Sequence, residues 1–170
     1  GNANKYTDHL VLTSPLHCRF TLDKKLSKKL FGETGPLPLS EGPIIIECEE
    51  EGSSFPIELS NFSHYKIPNL KINLGKITCK DFETLRALLS LLRLEPPKTN
   101  DVQLWFQPAK ASLKEGNLSF ARTDFLLDNQ YIIALKGNIN ILKENLSVEV
   151  GLTAKTLKET LKLDNLPSDA

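Results

Sequence analysis

Several features common in proteins are missing from this 170-residue sequence, and each absence narrows what the chain can do. There is no methionine, so we expect a processed chain or a fragment, and we interpret residues 1–3 (Gly-Asn-Ala) as a cloning remnant. No apolar run reaches the roughly 18 residues that a helix needs to cross a bilayer. The sequence therefore predicts no transmembrane helix.

Neither sign of charge is in excess. Lysine plus arginine number 21, as do aspartate plus glutamate, so the formal net charge is zero. Nucleic-acid-binding proteins neutralise phosphates with a basic excess, so we expect no nucleic-acid partner. The same balance gives no reason to expect a strongly anionic membrane surface as partner, although composition does not report where the charges lie.

The motifs that carry catalysis or bind metals are also absent. The chain has three widely separated histidines: His9, His17 and His64. It has three cysteines without the close spacing of a zinc site: Cys18, Cys48 and Cys79. We expect these thiols to be small buried hydrophobes, the alternative being one disulfide and one spare thiol. Without a glycine-rich phosphate loop or a nucleophile elbow, we expect no enzyme, no metal and no cofactor.

Two charged groupings have simple structural interpretations. Carboxylates at Glu47 and 49–51 have the oxygen chemistry of a calcium ligand set, but such a run is more often a solvated strand end. Arg122 and Asp124 are two residues apart in a predicted strand, so they share a face and are expected to pair with each other or with Lys136.

The N-terminal half is predicted to consist of short strands around one short helix. A strand from Leu10 to Leu22 is interrupted near Ser14-Pro15. Asp23 is expected to cap a helix over Lys24 to Phe31, because its side chain can accept a hydrogen bond from an unpaired amide of the first turn. Gly32 ends that helix. Further strands are predicted at Ile44 to Cys48, Phe55 to Leu59 and Ile67 to Cys79.

The strongest helical pattern runs from Asp81 to Leu94 and ends at Pro96-Pro97, which cannot continue a helix. Thr78 and Asp81 are candidate N-caps. Apolar side chains recur there at helical spacing: Phe82, Leu85, Leu88, Leu89 and Leu92. We expect this apolar side to pack against a sheet.

From Val102 onward the chain is predicted to be an antiparallel meander with turns at residues 115–116, 128–130 and 143–145. A further helix is predicted over Thr153 to Leu161, and residues 164–170 are expected to be a flexible tail. The predicted fold is therefore α+β and β-rich, a curved antiparallel sheet with one or two amphipathic helices packed on it, in a single domain over residues 4–163. The predicted strands are Val102 to Leu113, Asn117 to Leu127, Tyr131 to Leu142 and Leu146 to Leu152.

Apolar and polar residues alternate in the last two of these strands, which predicts a sheet with one apolar and one polar face. Either the helix covers the apolar face and makes it core, or part of it stays open and accepts an acyl chain. Trp105, the sole tryptophan, is either a core residue or a part of that surface. The lipid-facing candidates are Ile133, Leu135, Ile139, Ile141, Val148, Val150 and Trp105.

The residue order from Leu113 to Leu157 resembles the C-terminal region of AsmA-like proteins, a family of bacterial envelope proteins that includes TamB. The likeness extends more weakly upstream to Phe55. The matching stretches are Gly116-Asn117-Leu118-Ser119-Phe120, Arg122-Thr123-Asp124, Lys136-Gly137-Asn138-Ile139-Asn140-Ile141 and Leu146-Ser147-Val148.

This resemblance implies a periplasmic, non-catalytic domain of a larger envelope protein that handles lipid or supports outer-membrane biogenesis. Its partner would be a phospholipid or fatty acyl chain held on an apolar β-sheet face, and other parts of the protein would reach the membrane. The alternative is a secreted or surface module for protein–protein interaction or adhesion, with a closed core and no ligand.

Overall fold

Twelve strands form one large, open and curved antiparallel sheet in the computed structural model, which describes residues 9–152. Two α-helices accompany it, α1 (Lys24–Phe31) and α2 (Glu83–Leu91), together with a turn of 3-10 helix at Phe62–His64. The predicted fold class is confirmed. The strands are β1 (His9–Val11), β2 (Leu16–Phe20), β3 (Leu37–Ser40), β4 (Ile44–Cys48), β5 (Ser54–Pro56), β6 (Lys66–Asn73), β7 (Lys76–Lys80), β8 (Val102–Phe106), β9 (Ala109–Lys114), β10 (Asn117–Leu127), β11 (Tyr131–Asn140) and β12 (Asn145–Leu152).

Strands β6 and β10 each pair with three other strands. Along one edge, β10 pairs with β9 over residues 117–120 and with β8 over residues 125–127. Along its other edge it pairs with β11, which in turn pairs with β12. β6 pairs with β9 on one side and with β4 and β5 on the other. The predicted meander from β9 to β12 is confirmed, with every neighbouring pair antiparallel.

Two strands predicted to be continuous are each broken in two. Gly75, with a left-handed φ of 61°, separates β6 from β7, and Pro108, which has no N–H to donate, separates β8 from β9. The pairing continues across both breaks, since Ile72 lies opposite Ala109 and Lys76 lies opposite Trp105. Each pair of short strands therefore follows the path of the single strand that the sequence predicted.

A bulge in β10 keeps the apolar side chains on one face. Leu118 and Phe120 lie opposite Ile139 and Gly137 of β11, but after Ala121–Arg122 the register shifts by one residue. Directly opposed residues share a face of the sheet. The apolar row of β10 therefore changes from even to odd positions without leaving its face, and continues through Thr123, Phe125 and Leu127. The break at Pro108 lies in the strands next to β10, and the break at Gly75 lies one strand further away. Across each break the apolar side chains likewise change between even and odd positions and stay on their face.

Helix α2 is shorter than predicted and buries fewer leucines. Asp81 has a left-handed φ of 58°, and Phe82 occupies the N-cap without a side-chain hydrogen bond, so neither Thr78 nor Asp81 caps the helix. Leu89 is 2% exposed, whereas Leu88 and Leu92 are 50% and 48% exposed. The prediction that all the leucines pack on the domain is therefore wrong. The nine residues of α2 make about 2.5 turns, so only a narrow side of the helix meets the sheet.

Helix α1 has the predicted bounds, and the Leu26 amide donates to the Asp23 carboxylate at 2.8 Å.

The core lies on one face of the sheet in three clusters. Cys48 and Cys79 are buried in two of them, as predicted, but Cys18 is exposed and all three thiols are free. The clusters are Leu89, Leu94, Val102, Leu127, Tyr131 and Ile133 under α2; Leu22, Ile44, Ile77 and Cys79 beside α1; and Cys48, Ile67, Leu70, Ala111 and Leu113 on β4, β6 and β9.

Other sequence predictions have mixed outcomes. The strand predicted over Leu10 to Leu22 is two strands, β1 and β2, separated where Ser14-Pro15 indicated, and the strand predicted over Phe55 to Leu59 is only the short β5. Strand β3 was missed because Pro38 argues against a strand. Proline is tolerated there since β3 pairs only with β7 and lies at an edge. The helix predicted over Thr153 to Leu161 and the tail at 164–170 lie outside the described residues.

Candidate functional site

The apolar residues of β11 and β12 lie directly opposite one another and so share a face. Ile133 pairs with Leu152, Leu135 with Val150, and Ile139 with Leu146. The predicted one-sided alternation is confirmed.

This face is buried in the cluster under α2 and more exposed beyond it. Ile133 is 7% exposed and belongs to the cluster under α2, whereas Ile139 is 36% exposed. On β12, Leu146 and Val150 are 66% and 67% exposed, which is unusual for large apolar side chains arranged in register. We call the residues of this open surface the apolar strip: Leu135, Ile139, Leu146, Val148 and Val150.

Gly137 lets β12 lie close to β11 in the middle of the apolar strip. A Cβ atom at this position would overlap the Ser147 carbonyl oxygen and lie 2.8 Å from the Val148 Cα atom. The aromatic Phe120 lies opposite Gly137 on β10. Any larger residue would push β12 away from β11 and break the surface in two.

Three of the predicted lipid-facing residues fall outside the apolar strip. Ile133 is core, and Ile141 lies just beyond the end of β11, 41% exposed, where its amide donates to the Gly116 carbonyl at 2.8 Å. Trp105 pairs with Lys76 and Leu126 and therefore lies on the opposite face of the sheet, 56% exposed. The interpretation of Trp105 as a core residue is wrong, and the structure does not bring it together with the other candidates.

The polar face carries the charged groups that the sequence singled out. Arg122 pairs with Asp124 at 3.1 Å, as predicted, while Lys136 pairs with Glu149 of β12 at 3.3 Å. His17 lies 3.5 Å from Glu47. Among residues 9–152, no group of three or more histidine, cysteine or carboxylate side chains is arranged to hold a metal ion.

A shallow hollow of about 500 Å³ opens on this polar face, over β4, β6, β9 and β10. Its polar lining includes Lys71 and Lys110, Ser112 and Ser119, and the acidic residues Glu47 and Glu49. Sequence reasoning missed this grouping, because the lysines come from separate strands and only the register of β6 and β9 brings them side by side.

Comparisons with models of protein families, with curated protein sequences and with solved structures find no match to this chain. Within the described part of the chain, no helix is long and apolar enough to cross a membrane. The resemblance to AsmA-like proteins remains a prediction from the sequence.

Proposed function

We propose that this chain is a non-catalytic lipid-handling domain of a larger bacterial envelope protein, which shields acyl chains on the apolar face of its sheet. The observation that carries the proposal is the apolar strip, where Leu146 and Val150 are each about two-thirds exposed on the same face of the sheet as the core cluster under α2. The sequence resemblance to AsmA-like proteins supports a location in the periplasm and a role in membrane biogenesis.

The dimensions of the apolar strip suit an acyl chain. Leu146 and Val150 are four residues apart on β12, which corresponds to about 13 Å of strand. One leaflet of a bilayer contributes about 15 Å of hydrocarbon, so a chain drawn from it can lie along the whole strip. The strip also continues, without a polar interruption on its face, into the buried cluster under α2 through the Ile133–Leu152 pair.

The energetics explain why such a function needs no catalytic group. Moving about 16 methylenes from a bilayer into water costs on the order of 12 kcal/mol, at about 0.8 kcal/mol each. An apolar surface that covers even half of the chain lowers that cost by several kcal/mol. The chain would be bound by burial alone.

The test compares two charged substitutions on opposite faces of the same strand. Val150→Asp introduces a carboxylate into the apolar strip, whereas Ser147→Asp introduces one on the polar face of β12, where Ser147 is exposed. Because burying an unpaired charge is costly, we expect Val150→Asp to reduce bound phospholipid by about tenfold or more, and Ser147→Asp to leave it unchanged. Native mass spectrometry of protein purified from bacteria measures the bound lipid.

Circular dichroism of both variants checks that the sheet is intact. Wild-type protein that carries no lipid and binds no fluorescent fatty acid would contradict the proposal and favour the alternative, a protein–protein interaction or adhesion module. Equal lipid loss in both variants would show that the bound lipid is not on the apolar strip.

A further inference from the structure

The polar face of the sheet gathers lysines in an unfavourable arrangement. Lys66 of β6 lies directly opposite Lys114 of β9, and Lys71 lies directly opposite Lys110 on the same two strands. Like charges in directly opposed positions repel and destabilise a sheet. The chain as a whole carries no net charge, so this grouping is a local concentration rather than a consequence of composition.

Glu47 and Glu49 line the same hollow as Lys71 and Lys110, but no carboxylate within residues 9–152 is close enough to the four lysines to form an ion pair. None of the four lysines forms an ion pair there, while the nearby Lys76 and Lys136 are paired with Glu41 and Glu149 at 3.3 Å each. Glu47 lies opposite Lys71 on β4, but its carboxylate is directed to His17 at 3.5 Å. All four lysines are exposed.

The same face presents an exposed tryptophan. Trp105 is 56% exposed and lies between Lys76 and the half-buried Leu126 on neighbouring strands. The polar side chains are at odd positions on β8 and at even positions on β9, because the alternation shifts by one residue at Pro108. Trp105 therefore lies on the same face as Lys110 and Lys114. Tryptophan with nearby lysine is the combination that favours the interface between water and lipid, where the ring enters the headgroup layer and the ammonium groups meet phosphates.

We propose that this polar face, through Lys66, Lys71, Lys110, Lys114 and Trp105, docks on the anionic phospholipid headgroups of a membrane surface. The two lysine pairs are about 13 Å apart along β9, so an anion bound by one pair leaves the other uncompensated. A surface with many phosphates compensates both pairs and also receives the tryptophan ring. Docking through this face leaves the apolar strip, on the other side of the sheet, turned away from that surface.

The sole tryptophan of the chain is the reporter for the test. We expect Trp105 emission to shift to the blue on addition of vesicles in which phosphatidylglycerol replaces about a third of the phosphatidylcholine, and not on addition of phosphatidylcholine vesicles alone. The shift should disappear at high salt, because exposed charges are screened. Acyl-chain binding on the apolar strip would leave Trp105 unaffected, so the two proposals are tested separately.

Vesicle co-sedimentation compares two double variants that remove the same charge. Lys71→Gln with Lys110→Gln should lower the partition coefficient about 25-fold, at about fivefold per lysine. The control, Lys24→Gln with Lys25→Gln, changes exposed residues of α1, which packs on the apolar side of the sheet, and should leave partitioning unchanged. All four positions are exposed, so both variants should fold; the control should melt like wild type, and loss of the repulsion between Lys71 and Lys110 should leave the melting temperature of the other variant equal or slightly higher.

Three outcomes would overturn the proposal. The first is no emission shift with anionic vesicles, or an equal shift with phosphatidylcholine alone. The second is an equal loss of partitioning in the two double variants. The third is a response to inorganic phosphate or to single-stranded RNA without any response to anionic vesicles, which would assign the lysines to a free anion or to a nucleic acid.

Discussion

Single residues decide the shape of both faces of the sheet. Gly137 allows β11 and β12 to approach where a Cβ would overlap the Ser147 carbonyl oxygen, and its alternation partners on β11 are all apolar. Pro108 interrupts the strand path next to the bulge in β10, and Gly75 interrupts the path beyond it. Glycine and proline have no reactive or charged side chain, but at these positions they keep the apolar side chains of adjacent strands on one surface.

Gly137→Ala should be strongly destabilising. The added methyl group would lie 2.8 Å from the Val148 Cα atom, so β12 must move away from β11, and overpacking of this kind costs about 1–3 kcal/mol. Gly151→Ala is the matched control in β12, because a Cβ there meets nothing within 4 Å, and we expect a change within about 0.5 kcal/mol. Urea denaturation measures both, and equal stabilities would contradict the close approach.

At the scale of elements, α2 covers only one end of the apolar face. Its buried contact is centred on Leu89, with Phe82 and Leu85 packed at the edge of the same cluster. Leu94 follows the helix and is also buried, since its amide turns back to donate to the Leu89 carbonyl at 2.9 Å. The exposure of the apolar strip on β12 follows from this limited coverage.

Leu89 and Leu91 offer a direct test of which side of α2 packs on the sheet. Leu89→Ala should lower the free energy of unfolding by about 2–5 kcal/mol, because Leu89 is 2% exposed in a well-formed cluster. Leu91 is 82% exposed, so Leu91→Ala should change stability by no more than about 0.5 kcal/mol. Thermal melts of the two variants would contradict this orientation if Leu91→Ala were the more destabilised.

At the scale of the whole molecule, the three core clusters are joined through shared residues of one sheet. Ile46 packs against two of the clusters, and Leu104 joins the cluster under α2 to the one beside α1. Because the clusters share side chains and strands, we expect the described part of the chain to unfold as one cooperative unit.

Thiol labelling tests this cooperativity without any substitution. Burial raises the pKa of Cys79, and burial followed by the neighbouring Cys18 raises the pKa of Cys48, so both thiols hold little reactive thiolate while folded. Cys18 is exposed and should react first with iodoacetamide. Cys48 and Cys79 lie in different clusters, so equal labelling rates that follow global unfolding would support one unit, and much faster labelling of either would contradict it.

The sequence by itself determined the elements whose signals are local. The bounds of α1 and its Asp23 cap, the strand from Asn117 to Leu127 and the alternation in β11 and β12 were all correctly predicted. Each depends on neighbouring residues, because caps, turns and side-chain alternation are properties of a few consecutive positions. The two-residue turn at Glu115-Gly116, with both φ angles positive, is of the same kind.

Only the tertiary structure decided which residues lie side by side and which stay exposed. The face on which Trp105 lies depends on the pairing of β8 with β7 and β10. The exposure of Leu88 depends on how little of α2 meets the sheet. The opposed lysines of β6 and β9 come from segments about forty residues apart, and their contact depends on strand register alone. Register and coverage are set by the whole folded chain, so no local pattern reports them.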